Sequence, residues 1–496
     1  MGIFSKPKEV VTTKNFYFGS VEAESENNKG QSLIDYFDDY LDIIPMLYKG
    51  RFIFVGRKGV GKSAIAKYIK DKSDNEDDSF AALLKMCDFK KEKLLQQVDD
   101  ANITIEMIFE WMILVNIVKL IVKSDGGSCT KEFDKLSKFL KRNTGSVDID
   151  KFEISEQIIE KGGNVNFGLL KDCFNFAFRN RFDARTTRAP FYKLIDPLKD
   201  IVKKILSYQD IKNKEYWLLF DDLDVDYEIK NDECNNSIIS LLRIAKSYNN
   251  EILKDSTAKV IVFIRKDIRD ILISKYNDSA KLINASEIPI NWFTKEDNEN
   301  NIPLKKLVNK RIELNFKQNN IEYDKDDPWT TLITSQNIKG KTSFKHVLDF
   351  TFYRPRDIIT FLDKITEAEY KWPIDESNLN KILNGYIITN ISEIKSELNI
   401  YFTEDERDRL FNDIFKDIAN NGSLTYDKLK EKLSNLSFSL QEERVIDILL
   451  EYNLLTYMSK NNQLIISYRE NEMGTYDKDT LSITLPKCLY HYYKRL

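Results

Sequence analysis

Apolar positions along the 496-residue chain fall into two kinds of run. Short unbroken ones occur at FIFV (52–55), WLLF (217–220) and VIVFI (260–264), with a weaker one in SEIPINWF (286–293). Runs of this length without alternation predict strands covered on both faces, as in a parallel sheet. Longer stretches of helical character fill most of the remaining chain. One is LIDYFDDYLDIIPML before the first strand, and another is SAIAKYIKDK after it. Between about residues 72 and 214 the chain reads mostly as helix, broken at KSDNEDDS, SDGGSC, NTGSVD and KGGN. A second helical region runs from about residue 328 to 395, after the polar segments KEDNENN and QNNIEYDKDDP. RVIDILLEYNLL (444–455) predicts an amphipathic helix. LLTYMSKNNQLIISYR (454–469) predicts a β-hairpin turning at Asn461 and Asn462, since Asn tolerates a positive φ. Helices followed by such a hairpin suggest a winged-helix module.

The first strand runs into GRKGVGKS, which matches G-x-x-x-x-G-K-[ST] as Gly56, Gly61, Lys62 and Ser63, with Gly59 inside it. Glycines let the backbone turn its N–H groups onto phosphate oxygens, and the helix that follows adds its positive end. Lys62 is expected to reach the β- and γ-phosphates of ATP and Ser63 to ligate Mg²⁺, while Gly56, Gly59, Val60, Gly61 and Ala64 form the cradle. Gly59, Gly61 and Ala64 also fit the dinucleotide pattern G-x-G-x-x-G/A. Against that, three residues separate Gly59 from its strand, and the Gly-Lys-Ser ending suits a phosphate loop.

WLLFDD ends its strand in acids. In a parallel sheet the C-terminal strand ends lie beside the phosphate loop. Asp221 is therefore expected to help hold Mg²⁺, and Asp222 to orient or deprotonate an attacking water. Asp224 is a candidate for a supporting role. The competing reading is a solvated acidic turn. Arg265 ends KVIVFIR, where a guanidinium can face the γ-phosphate; pairing with Asp267 or Asp270 is the alternative. In YRPRD, Pro355 opens a helix flanked by Arg354 and Arg356. Two arginines at a helix start oppose its dipole, which an anion would relieve. Either ATP or a salt bridge would supply it.

Composition narrows the alternatives. The chain is 42% hydrophobic and 31% charged with a net charge of −4, so it is no strongly basic nucleic-acid binder. Its five cysteines are scattered without a C-x-x-C pair, which fits a reducing cytoplasm and neither a disulfide framework nor a zinc site. With only His346 and His491, a histidine-based triad or metal cluster lacks its key residue. The N-terminus has no apolar signal region, and Lys6 breaks the myristoylation pattern. The most apolar stretch, 103–123, is interrupted by Glu106, Glu110, Asn116 and Lys119, so a buried helix is expected there and no membrane span.

Together FGSVEAESE, GRKGVGKS, LLFDDLD, VIVFIRKDI and YRPRD resemble bacterial P-loop ATPases of the STAND branch, related to AAA+ proteins. Several relatives of that branch are found in bacterial defence gene clusters. The resemblance covers residues 16–365 and, less specifically, the C-terminal module. It implies an α/β fold with an ASCE-type parallel sheet, a helical lid and a C-terminal winged-helix-like domain. The expected division is a P-loop ATPase domain over 1–294, with a helical insertion at about 72–214, a lid over 295–395 and the winged helix over 396–496. Carried over residue by residue, Lys62, Ser63 and Asp221 match the ATP and Mg²⁺ positions, and Arg265 the sensor on the fourth strand. Arg354 and Arg356 match the lid motif. Residues 18–26 match a region that lies near the adenine in relatives. Asp222 stands where AAA+ proteins commonly carry Glu, which fits a slow switch better than a processive motor.

The expected function is a regulatory ATPase that acts with a partner effector chain, with room for a homo-oligomer. The alternative is a DNA-binding ATPase of the origin-recognition and loader type. Residues 396–496 hold 13 Lys and Arg against 17 Asp and Glu, which does not favour nucleic acid, although Lys460 and Arg469 lie in the expected wing. A small-molecule kinase suits the insertion and lid but not the DDLD strand and winged helix.

Overall fold

The computed structural model describes residues 11–25, 32–85, 103–124, 130–144, 164–166, 170, 188–223, 232–458, 464–466 and 482–494. They form two compact units, one of Asp42–Lys58 and Lys62–Ile290, the other of Met1–Leu41, Gly59–Gly61 and Asn291–Leu496.

The first unit is built on a five-stranded parallel sheet. Its strands are β1 (Ile53–Gly56), β2 (Ser79–Lys85), β3 (Glu215–Asp221), β4 (Ala258–Arg265) and β5 (Glu287–Pro289). Their spatial order is β2-β3-β4-β1-β5. β1, β3 and β4 are the unbroken apolar runs, and every residue of β1 is buried, as is all of β3 after Glu215. Such strands are stable only when both faces are covered. One cover is α1 (Lys62–Asp74), which leaves β1 through the glycine loop. Another is α2 (Ile105–Lys123), buried from Ile108 to Ile121 except at Glu110. α2 shares one apolar cluster with β3, β4 and the helix α3 (Ile195–Leu206).

The polar interruptions of α2 are satisfied locally. Glu110 pairs with Lys199 at 2.6 Å, Glu106 accepts from the Ser240 hydroxyl, and Asn116 donates to the Met112 carbonyl at 2.8 Å. No helix among the described residues is long and apolar enough to cross a membrane.

One element departs from expectation. The pattern predicts helix around Ser79–Lys85, yet this segment is the edge strand β2, paired in parallel with β3 over seven residues. Its Ala81, Ala82, Leu83 and Leu84 carry no strand preference of their own. Pairing with β3 and burial of Ala81, Ala82 and Leu84 decide the outcome.

The second unit is mostly helical. α4 (Pro303–Gln318), α5 (Pro355–Thr366) and α6 (Glu376–Glu397) enclose Trp329, Phe316, Phe361 and Tyr386. The N-terminal segment belongs to this unit. Asn315 and the backbone of Tyr17 exchange two hydrogen bonds of 2.7 Å, and Arg311 donates to the Phe18 carbonyl at 2.6 Å. Thr13 donates to Ala368 at 2.7 Å. The described residues 11–25 and 32–41 are therefore grouped with the helical unit and not with the sheet, where the division at 1–294 would place them.

The boundary expected at 395 falls inside α6, whose Glu397 is held in a buried ion pair. After it come strands β6 (Leu424–Thr425), β7 (Thr456–Met458), β8 (Leu464–Ile465) and β9 (Ser482–Thr484), in the order β8-β7-β9-β6 with antiparallel pairing. The expected hairpin corresponds to β7 and β8; Asn461, Asn462, Lys460 and Arg469 lie outside the described residues. The last helix, Lys487–Tyr493, returns to α6 through Asn390 and Cys488, 3.7 Å apart.

Candidate functional site

In the sheet unit, the C-terminal ends of β1, β3 and β4 converge. Register sets Arg265 opposite Gly56, so the expected sensor residue stands beside the start of the glycine loop. Lys62 begins α1, and its ammonium folds back to donate to the carbonyls of Gly56 at 3.2 Å and Arg57 at 3.3 Å. The Ser63 side chain comes against Asp221 and favours its ionised form. Ala64 lies one residue further on, half-buried in the first turn of α1.

Asp221 is 2% exposed, and its Oδ2 has no hydrogen-bond partner. Burial, and then the charge of Asp222, raise its carboxyl above the ordinary range; the Ser63 hydroxyl pulls the other way. A buried carboxylate oxygen left without a donor is costly, and a cation would satisfy it. These residues therefore fit Mg²⁺ on Ser63 and Asp221. Among the described residues no three His, Cys, Asp or Glu side chains gather for a metal. A magnesium site completed by phosphates needs only one or two carboxylates.

Asp222 sits just past β3 with a φ of 56°, the left-handed region that Asp tolerates better than most residues. The turn aims it out of the strand, and Lys85 Nζ lies 3.7 Å from its Oδ2. Lys85 pairs in register with Asp221 and escaped sequence reasoning because β2 did. Arg265 is buried and bound to Asp267, with Nη2 to Oδ2 at 2.6 Å and Nε to Oδ1 at 3.1 Å, the ion pair weighed as the alternative to a phosphate contact. Asp224 lies outside the described residues.

In the helical unit, the carbonyls of Gly59 and Val60 each meet a donor. The Arg356 N–H donates to the Gly59 carbonyl at 3.3 Å, and the Trp292 indole donates to the Val60 carbonyl at 2.9 Å. Gly59 has a φ of 80° and Gly61 a φ of 95°, backbone shapes that require glycine. A Cβ at Gly59 would stand 3.1 Å from Arg356 Cβ, tight enough that the neighbour would have to give by a few tenths of an ångström.

The two arginines of YRPRD have different surroundings. Arg354 is buried between Asp357, at 2.7 Å, and Glu397, at 3.1 Å, and lies over the Phe352 ring. These carboxylates supply the negative charge that the helix start required, and they hold its guanidinium well above its ordinary pKa against the cost of burial. Arg356 is only half-buried. It makes no ion pair among the described residues, and its buried Nε has no hydrogen-bond partner. Burial raises the Glu393 carboxyl above its ordinary range, and the charge of Arg356 opposes the rise. Trp292 was visible in SEIPINWF only as part of an apolar run, with nothing local to mark its role.

Comparison with known proteins gives two partial likenesses. Residues 303–386, which span α4 to the middle of α6 and include YRPRD, match the FunZ-associated C-terminal helical domain. A protein named for transposon gamma-delta, of 80.3 kDa, from Escherichia coli (strain K12), is 24% identical over 370 residues, covering 71% of this chain and 47% of that protein. The chain thus spans about half the length of the curated relative it matches.

Proposed function

We propose that the chain is a P-loop ATPase of the ASCE type that binds ATP with Mg²⁺, hydrolyses it slowly and works as a switch for a partner effector. One observation carries this. On one sheet edge the loop after β1 delivers Ser63 to Asp221 at the end of β3, whose buried Oδ2 has no hydrogen-bond partner, while the intervening strand β4 brings Arg265 beside Gly56. A sheet with one strand inserted between the loop strand and the acidic strand is the order expected of the ASCE class.

ATP with Mg²⁺, when bound, would supply the phosphoanhydride bond and positive charge to offset the negative charge of the phosphates. Lys62 exchanges its loop carbonyls for phosphate oxygens. Ser63 and Asp221 would hold the cation, whose charge would favour the ionised carboxylate that burial disfavours. Asp222, beside Lys85, orients the attacking water. Arg356, whose backbone N–H holds the Gly59 carbonyl, is the arginine offered to the terminal phosphate, and Arg354 ties α5 to α6. The likeness to a branch with relatives in bacterial defence gene clusters supports a regulatory role there. The acidic balance of residues 396–496 supports protein contacts over DNA for the winged-helix-like module.

Calorimetric titration tests the proposal. Wild-type protein should bind ATP, and folded Lys62→Ala should lose that affinity. Asp222→Asn should bind ATP yet turn it over about a hundredfold more slowly, the scale of a lost general base. Unchanged affinity in Lys62→Ala would refute the site, and wild-type turnover in Asp222→Asn would move catalysis to another carboxylate.

A further inference from the structure

Trp292 is 8% exposed, and its indole N–H is spent on the carbonyl of Val60. The neighbouring Gly59 carbonyl is held by the Arg356 N–H. Phe293, next to Trp292, packs edge-on against Tyr353 with ring centroids 5.3 Å apart, and Tyr353 has a φ of 55°. Two consecutive carbonyls in the middle of a phosphate-loop sequence are thus tied to one patch of the helical unit.

Peptide planarity gives this a consequence. In a trans peptide the carbonyl of one residue and the N–H of the next point in opposite directions. Fixing the Gly59 carbonyl therefore fixes the Val60 N–H, and fixing the Val60 carbonyl fixes the Gly61 N–H. Both N–H groups are turned away from the donors that hold the carbonyls. Successive N–H groups presented this way form the anion-binding concavity on which a phosphate loop depends.

We infer that Trp292 is a positioning residue of the phosphate loop: its indole sets the peptide planes that present the Val60 and Gly61 N–H groups to the phosphates. This rests on the ATP-binding reading proposed above. The indole does not touch nucleotide. It removes the freedom of the loop to flip a peptide and lose a donor, a preorganisation that raises affinity without a new contact. Because the N–H groups serve phosphates common to both nucleotides, the effect should be the same on ATP and ADP.

The test compares wild type, Trp292→Phe, Trp292→His and Arg356→Ala in the full chain by calorimetry with ATP and with ADP, alongside hydrogen exchange. Trp292→Phe keeps a ring and removes the donor. It should weaken ATP and ADP equally, by about three- to tenfold, the range of one lost buried hydrogen bond. Exchange should rise in the peptide covering 56–62 and stay unchanged over 303–318. Trp292→His keeps a ring N–H and should fall between wild type and Trp292→Phe, which keeps the idea testable if the phenylalanine variant folds poorly. Arg356→Ala should instead weaken ATP more than ADP. Wild-type affinity and loop exchange in folded Trp292→Phe would overturn this inference alone. So would a loss confined to ATP, or His binding no better than Phe. A wild-type protein that binds neither nucleotide would overturn the ATP-binding reading and this inference with it.

Discussion

The backbone N–H of Arg356 donates to the carbonyl of Gly59 at 3.3 Å, while two residues earlier the guanidinium of Arg354 is buried between Asp357 and Glu397. Adjacent arginines around one proline thus face different tasks, and their substitution should separate stability from nucleotide recognition. Arg354→Ala leaves two buried carboxylates uncompensated and should cost about 3–5 kcal/mol of stability. Arg354→Lys should recover little, since a lysine cannot repeat the forked contacts to Asp357. Arg356→Ala should change thermal stability little and reduce the preference for ATP over ADP about tenfold, the scale of one charge-assisted hydrogen bond. Thermal unfolding and calorimetry on the three variants check this; an Arg354→Ala protein as stable as wild type would remove the structural assignment.

Asp221 should make the nucleotide-free protein less stable than it could be. The folded chain holds the Asp221 proton more tightly than the unfolded chain, because burial and the Asp222 charge disfavour the carboxylate. The contribution of this group to stability is therefore full below the ordinary carboxylate range and falls as pH rises through the raised folded value. Asp221→Asn should raise the melting temperature at pH 7 without ligand, by about 2–4 °C for each kcal/mol recovered. The same variant should lose the Mg²⁺ dependence of ATP binding. A lower melting temperature with Mg²⁺ dependence intact would contradict both statements.

His346 should weaken the helical unit in acid. It is 2% exposed, with neither ring nitrogen hydrogen-bonded among the described residues. Burial first, and then the charge of Lys487, push its pKa down to about 4 from 6.5, while Asp349 opposes them and Lys339 and Lys341 add to the fall. Between those values the unfolded chain takes up a proton that the folded chain refuses. Stability is thus intact above pH 6.5 and should fall by about 3 kcal/mol as pH drops towards 4. His346→Phe, which keeps a ring against Phe350, should flatten that part of the profile. Equal slopes for variant and wild type in urea titrations between pH 6.5 and 4.5 would exclude the effect.

Some of this protein is local, and the sequence alone determined it. The FIFV, WLLF and VIVFI runs are too apolar to be anything but core, and each became a central strand. Gly59 and Gly61 adopt positive φ, as a phosphate loop asks of glycine. The acids after WLLF had to emerge at a strand end, and Asp221 and Asp222 do.

Where the outcome depended on a distant partner, only the tertiary structure decided. Ser79–Lys85 became a strand because β3 offered seven residues of pairing, which its own alanines and leucines do not announce. Residues 11–25 joined the helical unit through Asn315 and Arg311, some 300 positions away in the chain. Arg354 and Arg356 look equivalent around Pro355, yet burial beside Glu397 commits the first to an ion pair and leaves the second with an orphaned Nε. Trp292 reads as one more apolar residue until folding brings its N–H within 2.9 Å of the Val60 carbonyl. A side chain's chemistry is written in the sequence, but its partner is set by which backbone group arrives next to it, and that is a property of the packed chain.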